Sequence, residues 1–227
     1  MRVLGIESAT TSVGAALIVD GVVVAEAEVR DTRRHTEHLL ELVGEVLRAA
    51  PFELDAIEVL SCDVGPGLFT GLRVGIATTA GLAMALGRSV VEVSSLEALA
   101  HAASAAGLVG SCTAVVDARR GEVFLQRFEL GPNPVALGEA EVCAPEVMAA
   151  RVGAGQAVGD GVERYRSLLG GAQVDLVLSH PSAASVGLVA SAKLATGVSP
   201  IDAAQLRPRY LRAADAVPNF AEREVAR

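Results

Sequence analysis

A chain of 227 residues that is 51% hydrophobic can bury a sizeable core, which excludes a disordered protein and fits one large domain or two smaller lobes. Its formal net charge is −8, and Lys193 is the one lysine among 19 basic residues, so no long basic stripe is available to a phosphate backbone and the chain alone is expected to bind RNA poorly. Cys62, Cys112 and Cys143 are far apart and form no CxxC, no signal peptide is seen, and no apolar run reaches the roughly 18 uncharged residues of a membrane span, so a soluble, cytoplasmic protein with no membrane partner is expected.

The first predicted strand is RVLGIES, Arg2 to Ser8. ATT turns the chain into SVGAALIVDG, and VVVAEAEV follows the Asp20-Gly21 pair, which makes a β-meander with a tight hairpin. Residues 31–50 carry Leu39, Leu42, Val43, Val46 and Leu47 at the spacing of an amphipathic helix, with Thr32 as cap and Pro51 to end it. AIEVLSCD then reads as a buried strand, Gly71 to Leu86 as a helix, SVVEVS as a strand and Ser95 to Ala106 as a further helix. Such alternation predicts an α/β sheet with crossover connections.

After Gly110 the opening design returns, with CTAVVDA as a strand, RRGE as a turn and VFLQRFEL as the next strand. Each first strand ends on an acid, Glu7 in one half and Asp117 in the other. The repeat predicts two related lobes, 1–108 and 109–227, with facing acidic turns. Beyond residue 130, Pro132, Pro134 and Pro145 break up the periodicity, leaving a short strand at Val174 to Leu178 and a helix at Ser182 to Thr196 as readable elements.

The stretch DVGPGLFTGLRVG, residues 63–75, is the strongest candidate for chemistry. It is not a P-loop, because Gly71 is followed by Leu72 and Arg73 where lysine and a hydroxyl are needed. It also fails GxGxxG, which requires glycine at Thr70. Gly65 and Gly67 can still present backbone amides, and Thr70 can cap a helix whose N-terminus attracts an anion. The commoner reading is a tight strand-to-helix turn, with Gly71 and Gly75 admitting a neighbouring helix.

Glu7 and Asp117 can face each other at a magnesium ion with Gly159 and Gly161 near an adenosine; alternatively, Asp117 caps the RRGE turn and pairs with Arg119, which is favoured because no phosphate loop accompanies the acids. His35 and His38 lack a third ligand, and His101 and His180 are isolated, so no metal site is predicted. Without G-x-S-x-G, HExxH or a cysteine–histidine pair, a peptidase has no chemical support. Gly71, Gly75 and Thr79 recur at i and i+4 as a smooth stripe for helix docking. If that face is exposed, Gly75→Leu is expected to weaken partner binding and leave the fold intact.

GPGLFTGLRVGIATTAGLA (65–83) closely resembles the glycine-rich signature of the TsaB family, and GIESATTSVGAAL, VVDARRGEVF (115–124) and PRYLR (208–212) agree with it. Leu68 stands where that family usually has serine, Glu7 where aspartate is common, and Arg120 where other residues are frequent. The resemblance implies an α/β fold of two actin-like (ribonuclease H-like, ASKHA) lobes, each a mixed sheet flanked by helices. It implies a non-catalytic accessory subunit required for N6-threonylcarbamoyladenosine at tRNA position 37, scaffolding and activating the catalytic partner TsaD. The metal-binding His-x-x-x-His of that partner corresponds by register to Ser95 and Leu99, which cannot replace two imidazoles.

By the same resemblance the two helices at 33–50 and 71–86 pair with TsaD, with TsaE joining a ternary complex, or with a second copy when TsaD is absent. The docking residues expected are His35, Leu39, Leu42, Val46, Gly71, Leu72, Gly75, Thr79 and Leu82. tRNA is reached only through the complex. No cofactor is expected to bind tightly, although ATP or ADP can sit at the complex interface. The candidates for that anion are Glu7, Gly65, Gly67, Thr70, Asp117, Gly159 and Gly161. An independent actin-like ATPase or small-molecule kinase is the alternative, and it predicts ATP turnover that is lost in Asp117→Ala.

Overall fold

Asp20 and Gly21 both hold positive φ, 48° and 78°, the twist-matched turn that folds a two-residue loop into a hairpin. It joins β2 (Ser12–Val19) to β3 (Val22–Arg30), and β2 also lies antiparallel to β1 (Arg2–Glu7). On the other side of β1, β4 (Val59–Asp63) and then β5 (Ser89–Val93) add in parallel, giving the order β3-β2-β1-β4-β5. The computed structural model describes residues 1–30, 38–175 and 178–212.

The second sheet repeats the plan. β6 (Gly110–Arg119) pairs antiparallel with β7 (Glu122–Leu130), and β10 (Gln156–Val158) and β11 (Gln173–Asp175) extend it in parallel beyond β6. The short β8 (Val135–Ala136) and β9 (Glu141–Cys143) both pair with β7. β6 therefore stands where β1 stands in the first sheet, as the sequence repeat predicts. Helix α4 (Pro145–Val152) and the single turn α5 (Asp160–Arg164) flank this sheet.

Strands buried on both faces need helices on both sides. On one face of the first sheet, α1 (Leu39–Ala49) and α2 (Phe69–Leu86) pack over Leu4, Ile6, Leu60 and Cys62. On the other, α6 (Ala183–Ala195) packs over Val3, Ala16 and Ile18. α6 lies close because Gly187 has no side chain: a Cβ there would overlap Ile18 Cδ1. α3 (Ser95–Ala105) joins the lobes, with Ala98 in the α6 core and Leu96, Leu99, Ala100 and Ala103 in the core of the second sheet. The expected division at 108/109 separates the two sheets, but α6 and the segment around Ile201, which bridges to Val90, return to the first.

The helix faces correct the expected docking residues. Leu39, Leu42 and Val46 of α1 and Gly71, Gly75 and Thr79 of α2 are buried on the side facing the chain's own first sheet, Leu72 is buried under the glycine-rich loop, and Leu82 is half-buried. The reason is steric: Ser8 Oγ donates to Gly71 O at 2.9 Å, and a Cβ on Gly75 would overlap that hydroxyl. His35 and the expected cap Thr32 lie outside the described residues. By length and composition α2 is apolar enough to cross a membrane, although it contains Arg73 and rests on the sheet along one side.

Two glycines of α2 therefore respond in opposite directions. Gly75→Leu is expected to overfill the contact with Ser8 and Ile6 and to cost about 3 kcal/mol. Gly81 faces open space, with nothing within 4 Å of a Cβ built there, so Gly81→Ala is expected to gain about 0.5–1 kcal/mol from helix propensity. Urea unfolding midpoints of the two variants check both signs.

Candidate functional site

β1, β4 and α3 bring Glu7, Asp63 and Ser95 together under the glycine-rich loop. Asp63 Oδ1 accepts from Gly65 N and from Ser95 Oγ, both at 2.7 Å, and Glu7 Oε1 accepts from Ala9 N at 2.7 Å. The remaining oxygens, Glu7 Oε2 and Asp63 Oδ2, have no other donor among the described residues. A proton on Glu7, hydrogen-bonded to Asp63, satisfies both, and burial followed by the neighbouring Asp63 charge pushes the Glu7 carboxyl well above its ordinary range. Burial also raises Asp63. Glu7 is thus a buried clamp with raised proton affinity, and it does not line the cavity that Asp117 lines.

Asp117 closes the second hairpin. Its Oδ1 accepts from Arg119 N at 2.9 Å, and its Oδ2 lies 3.0 Å from Arg119 Nη1 and 3.4 Å from Arg164 Nη1. That cap helps hold Arg119 and Arg120 at positive φ, 62° and 54°, a conformation non-glycine residues rarely adopt. Behind it, Asp160 Oδ1 accepts from Asp117 N at 2.8 Å, and burial pushes Asp160 up to about 6. Gly159 and Gly161 serve close packing: a Cβ on the first would overlap Val115 O, and one on the second would stand 2.7 Å from Val115 Cγ1. Neither lines the cavity described next.

That cavity, about 520 Å³, is walled by three segments distant in sequence. Pro66, Gly67, Leu68, Phe69 and Leu72 come from the loop and α2, Asp117 to Arg120 and Phe124 from the second hairpin, and Arg209 to Arg212 from the segment PRYLR. Arg209 N donates to Val64 O at 2.7 Å, which lays this last segment along the loop. The Phe69 and Tyr210 rings stack at 5.5 Å, Arg73 covers Phe69 at 3.8 Å, and Arg73 Nε donates to Tyr210 Oη at 3.2 Å. Four arginines, Arg119, Arg120, Arg209 and Arg212, line the cavity against one carboxylate, Asp117. Sequence reasoning gave these arginines no ligand role; the PRYLR match was the available signal.

Other expected residues fall differently. Thr70 is not the cap: α2 begins at Phe69, and its N-cap is Leu68, whose side chain makes no capping bond. Gly67 lines the cavity but its missing side chain is a packing requirement, since a Cβ would overlap Ala9 O. Gly65 sits at φ 102° after the Asp63 turn, before a cis Pro66. His38 Nδ1 lies 2.9 Å from Glu41 Oε2 at the exposed start of α1. His101 and His180 are half-buried, and desolvation holds both below the usual histidine range. Leu99 is buried in the core of the second sheet.

Two glycine-tight sheets of one plan, joined by α3 and sharing a cavity between the glycine-rich loop of the first and the hairpin of the second, define a two-lobe α/β protein. The family model described as "TsaD: tRNA N6-adenosine threonylcarbamoyltransferase" matches residues 21–162. The chain is similar to YeaZ from Pseudomonas aeruginosa, with TM-score 0.83 and 29% identity over 92% of this chain and 99% of that one. It is 34% identical to the tRNA threonylcarbamoyladenosine biosynthesis protein TsaB of Escherichia coli (strain K12) over 67% of this chain and 66% of that protein. An uncharacterized protein of Mycobacterium tuberculosis (strain ATCC 25618 / H37Rv) is 35% identical over 95% of this chain and 94% of its own length. The chain belongs to the TsaB/YeaZ family, within the wider group that the TsaD model describes.

The carboxyl clamp gives stability a pH signature. Folding raises proton affinity at Glu7 and Asp160 above the ordinary values of 4.5 and 3.8, so the folded chain keeps protons that the unfolded chain has released. Their contribution is full below those ordinary values and is lost as pH rises through the raised ones. Glu7→Gln, which still donates to Asp63 but does not titrate, is expected to flatten the decline above about pH 6, where Asp160 has already ionised. Urea midpoints of both chains from pH 5 to 9 check this; parallel curves would remove the shared proton from the account.

Proposed function

We propose that this chain is a non-catalytic accessory subunit in the formation of N6-threonylcarbamoyladenosine at tRNA position 37, and that it scaffolds and activates TsaD. Membership of the TsaB/YeaZ family supports the pathway. The observation that carries the docking role is the outer face of α2. Ala77, Gly81, Met84 and Ala85 are exposed along it, Phe69 is exposed at its start, and Leu40 and the open Gly44 lie on the outer side of α1. Small side chains on an exposed apolar helix let a partner helix approach closely. The docking face is therefore the side of α2 opposite Gly71, Gly75 and Thr79.

The same face accepts TsaD in a heterodimer, TsaE completes a ternary complex, and a second copy of this chain occupies the face when TsaD is absent. All of this takes place in the cytoplasm, and tRNA is held by the assembly. A supporting role, without chemistry of its own, fits the site. Ser95 is spent on Asp63, Leu99 is core, Glu7 is buried with its carboxyl held well above its ordinary range, and Asp117 is engaged by two arginines. Burial raises the cysteine thiols, Cys112 to about 11, so none is a poised nucleophile.

The test is tRNA modification in a mixture of TsaD, TsaE and threonylcarbamoyl-adenylate with and without this chain. Modification is expected only when the chain is present. Gly81→Arg is expected to lower affinity for TsaD by about tenfold or more while leaving the thermal midpoint of the isolated chain unchanged. Full modification without the chain would overturn the proposal.

A further inference from the structure

We propose that the exposed aromatic–arginine rim at the start of α2 stacks an unpaired base of single-stranded RNA. Phe69 and Tyr210 stack on each other, Arg73 lies over Phe69, and both rings are about half exposed. Arg209 directly precedes Tyr210, and Arg207 lies two residues further back. Among the described residues, Arg73 bonds only Tyr210 and Phe69, Arg207 only the carbonyls of Ala204 and Leu206, and the Arg209 side chain nothing. Three exposed guanidinium groups thus make no ion pair with any described residue, in a chain whose net charge is −8.

The chemistry favours RNA over a protein segment. An acidic peptide would answer the guanidinium groups and leave the rings wet, and an apolar peptide would do the reverse. Bases and phosphates alternate along RNA, and exposed rings and guanidinium groups receive the two in turn. A ring can take only an unstacked base, so the strand is single. Phe69, Arg73, Arg209 and Tyr210 are all exposed and offer one open face, whereas a small-molecule site encloses most of its ligand. The occupant is therefore a polymer that gathers further contacts elsewhere, and three cations on an acidic chain hold it weakly.

The position suits the accessory role, on which the identity of the RNA as tRNA rests. Phe69 lies about 18 Å from Gly81 along the axis of α2, at 1.5 Å per residue. A partner seated over Gly81 leaves the aromatic end of the helix open beside it, so the partner and this chain can hold one strand between them.

Fluorescence anisotropy tests the site, with a labelled unstructured RNA oligonucleotide on the isolated full chain at low salt and with unmodified tRNA on the chain–TsaD complex. Both are expected to bind. Tyr210→Ala is expected to weaken each about fivefold or more, and Tyr210→Phe, which keeps the ring, to leave both unchanged. Arg209→Ala is expected to reduce the slope of log affinity against log salt by about 0.7 for the oligonucleotide, with an unchanged thermal midpoint. No oligonucleotide binding at low salt, or affinities indifferent to Tyr210→Ala and Arg209→Ala, would overturn the site. If these variants instead weaken TsaD binding with no RNA present, the rim belongs to a protein interface and the RNA assignment fails. A chain that binds the oligonucleotide but not TsaD would retain this site and overturn the accessory role, so the two can fail separately.

Discussion

A proton held between two buried carboxyls is the constraint from which the rest of this structure follows. Glu7 ends β1, Asp63 ends β4, and Asp63 also receives the amide of Gly65 and the hydroxyl of Ser95. One small cluster thereby fixes the first strand turn, the glycine-rich loop and the start of the helix that crosses to the second lobe. Two ionised carboxylates at this depth would repel each other at high cost, and two unpartnered ones would lose their hydrogen bonds. The shared proton avoids both, and the loop it anchors becomes the floor of the cavity and the lead into α2.

The fold was legible wherever local chemistry decides it. Asp20-Gly21 demands a hairpin, and the return of the strand–RRGE–strand pattern marks the second sheet. Orientation was not legible in the same way. On α2 the stripes Gly71, Gly75, Thr79 and Ala77, Gly81, Ala85 are similarly small and similarly spaced, so periodicity cannot say which meets the sheet. The answer comes from Ser8, sixty-three residues from its partner Gly71 along the chain. On α1 the leucine stripe correctly marked a helix, but a stripe that apolar belongs to the core before it belongs to a partner.

The candidate site was the least legible part. Its residues come from 66–72, 117–124 and 209–212, and no pattern within one segment announces that they meet. Net charge does not describe a single cavity: a chain of −8 can still line a cleft with basic groups, because the local field is set by the groups that line it. Folding brings four arginines into one cavity lining, and it turns the two acids expected to hold magnesium into a buried clamp and a turn cap.

The central claim is that the outer face of α2 is the surface that meets TsaD. Maleimide labelling of a Gly81→Cys chain, with and without TsaD, measures this most directly, because two native thiols are buried and Cys143 is half-buried. The account predicts rapid labelling of the free chain and labelling slowed about tenfold or more in the complex. An unchanged rate in a chain that demonstrably binds TsaD would place the contact elsewhere and contradict it.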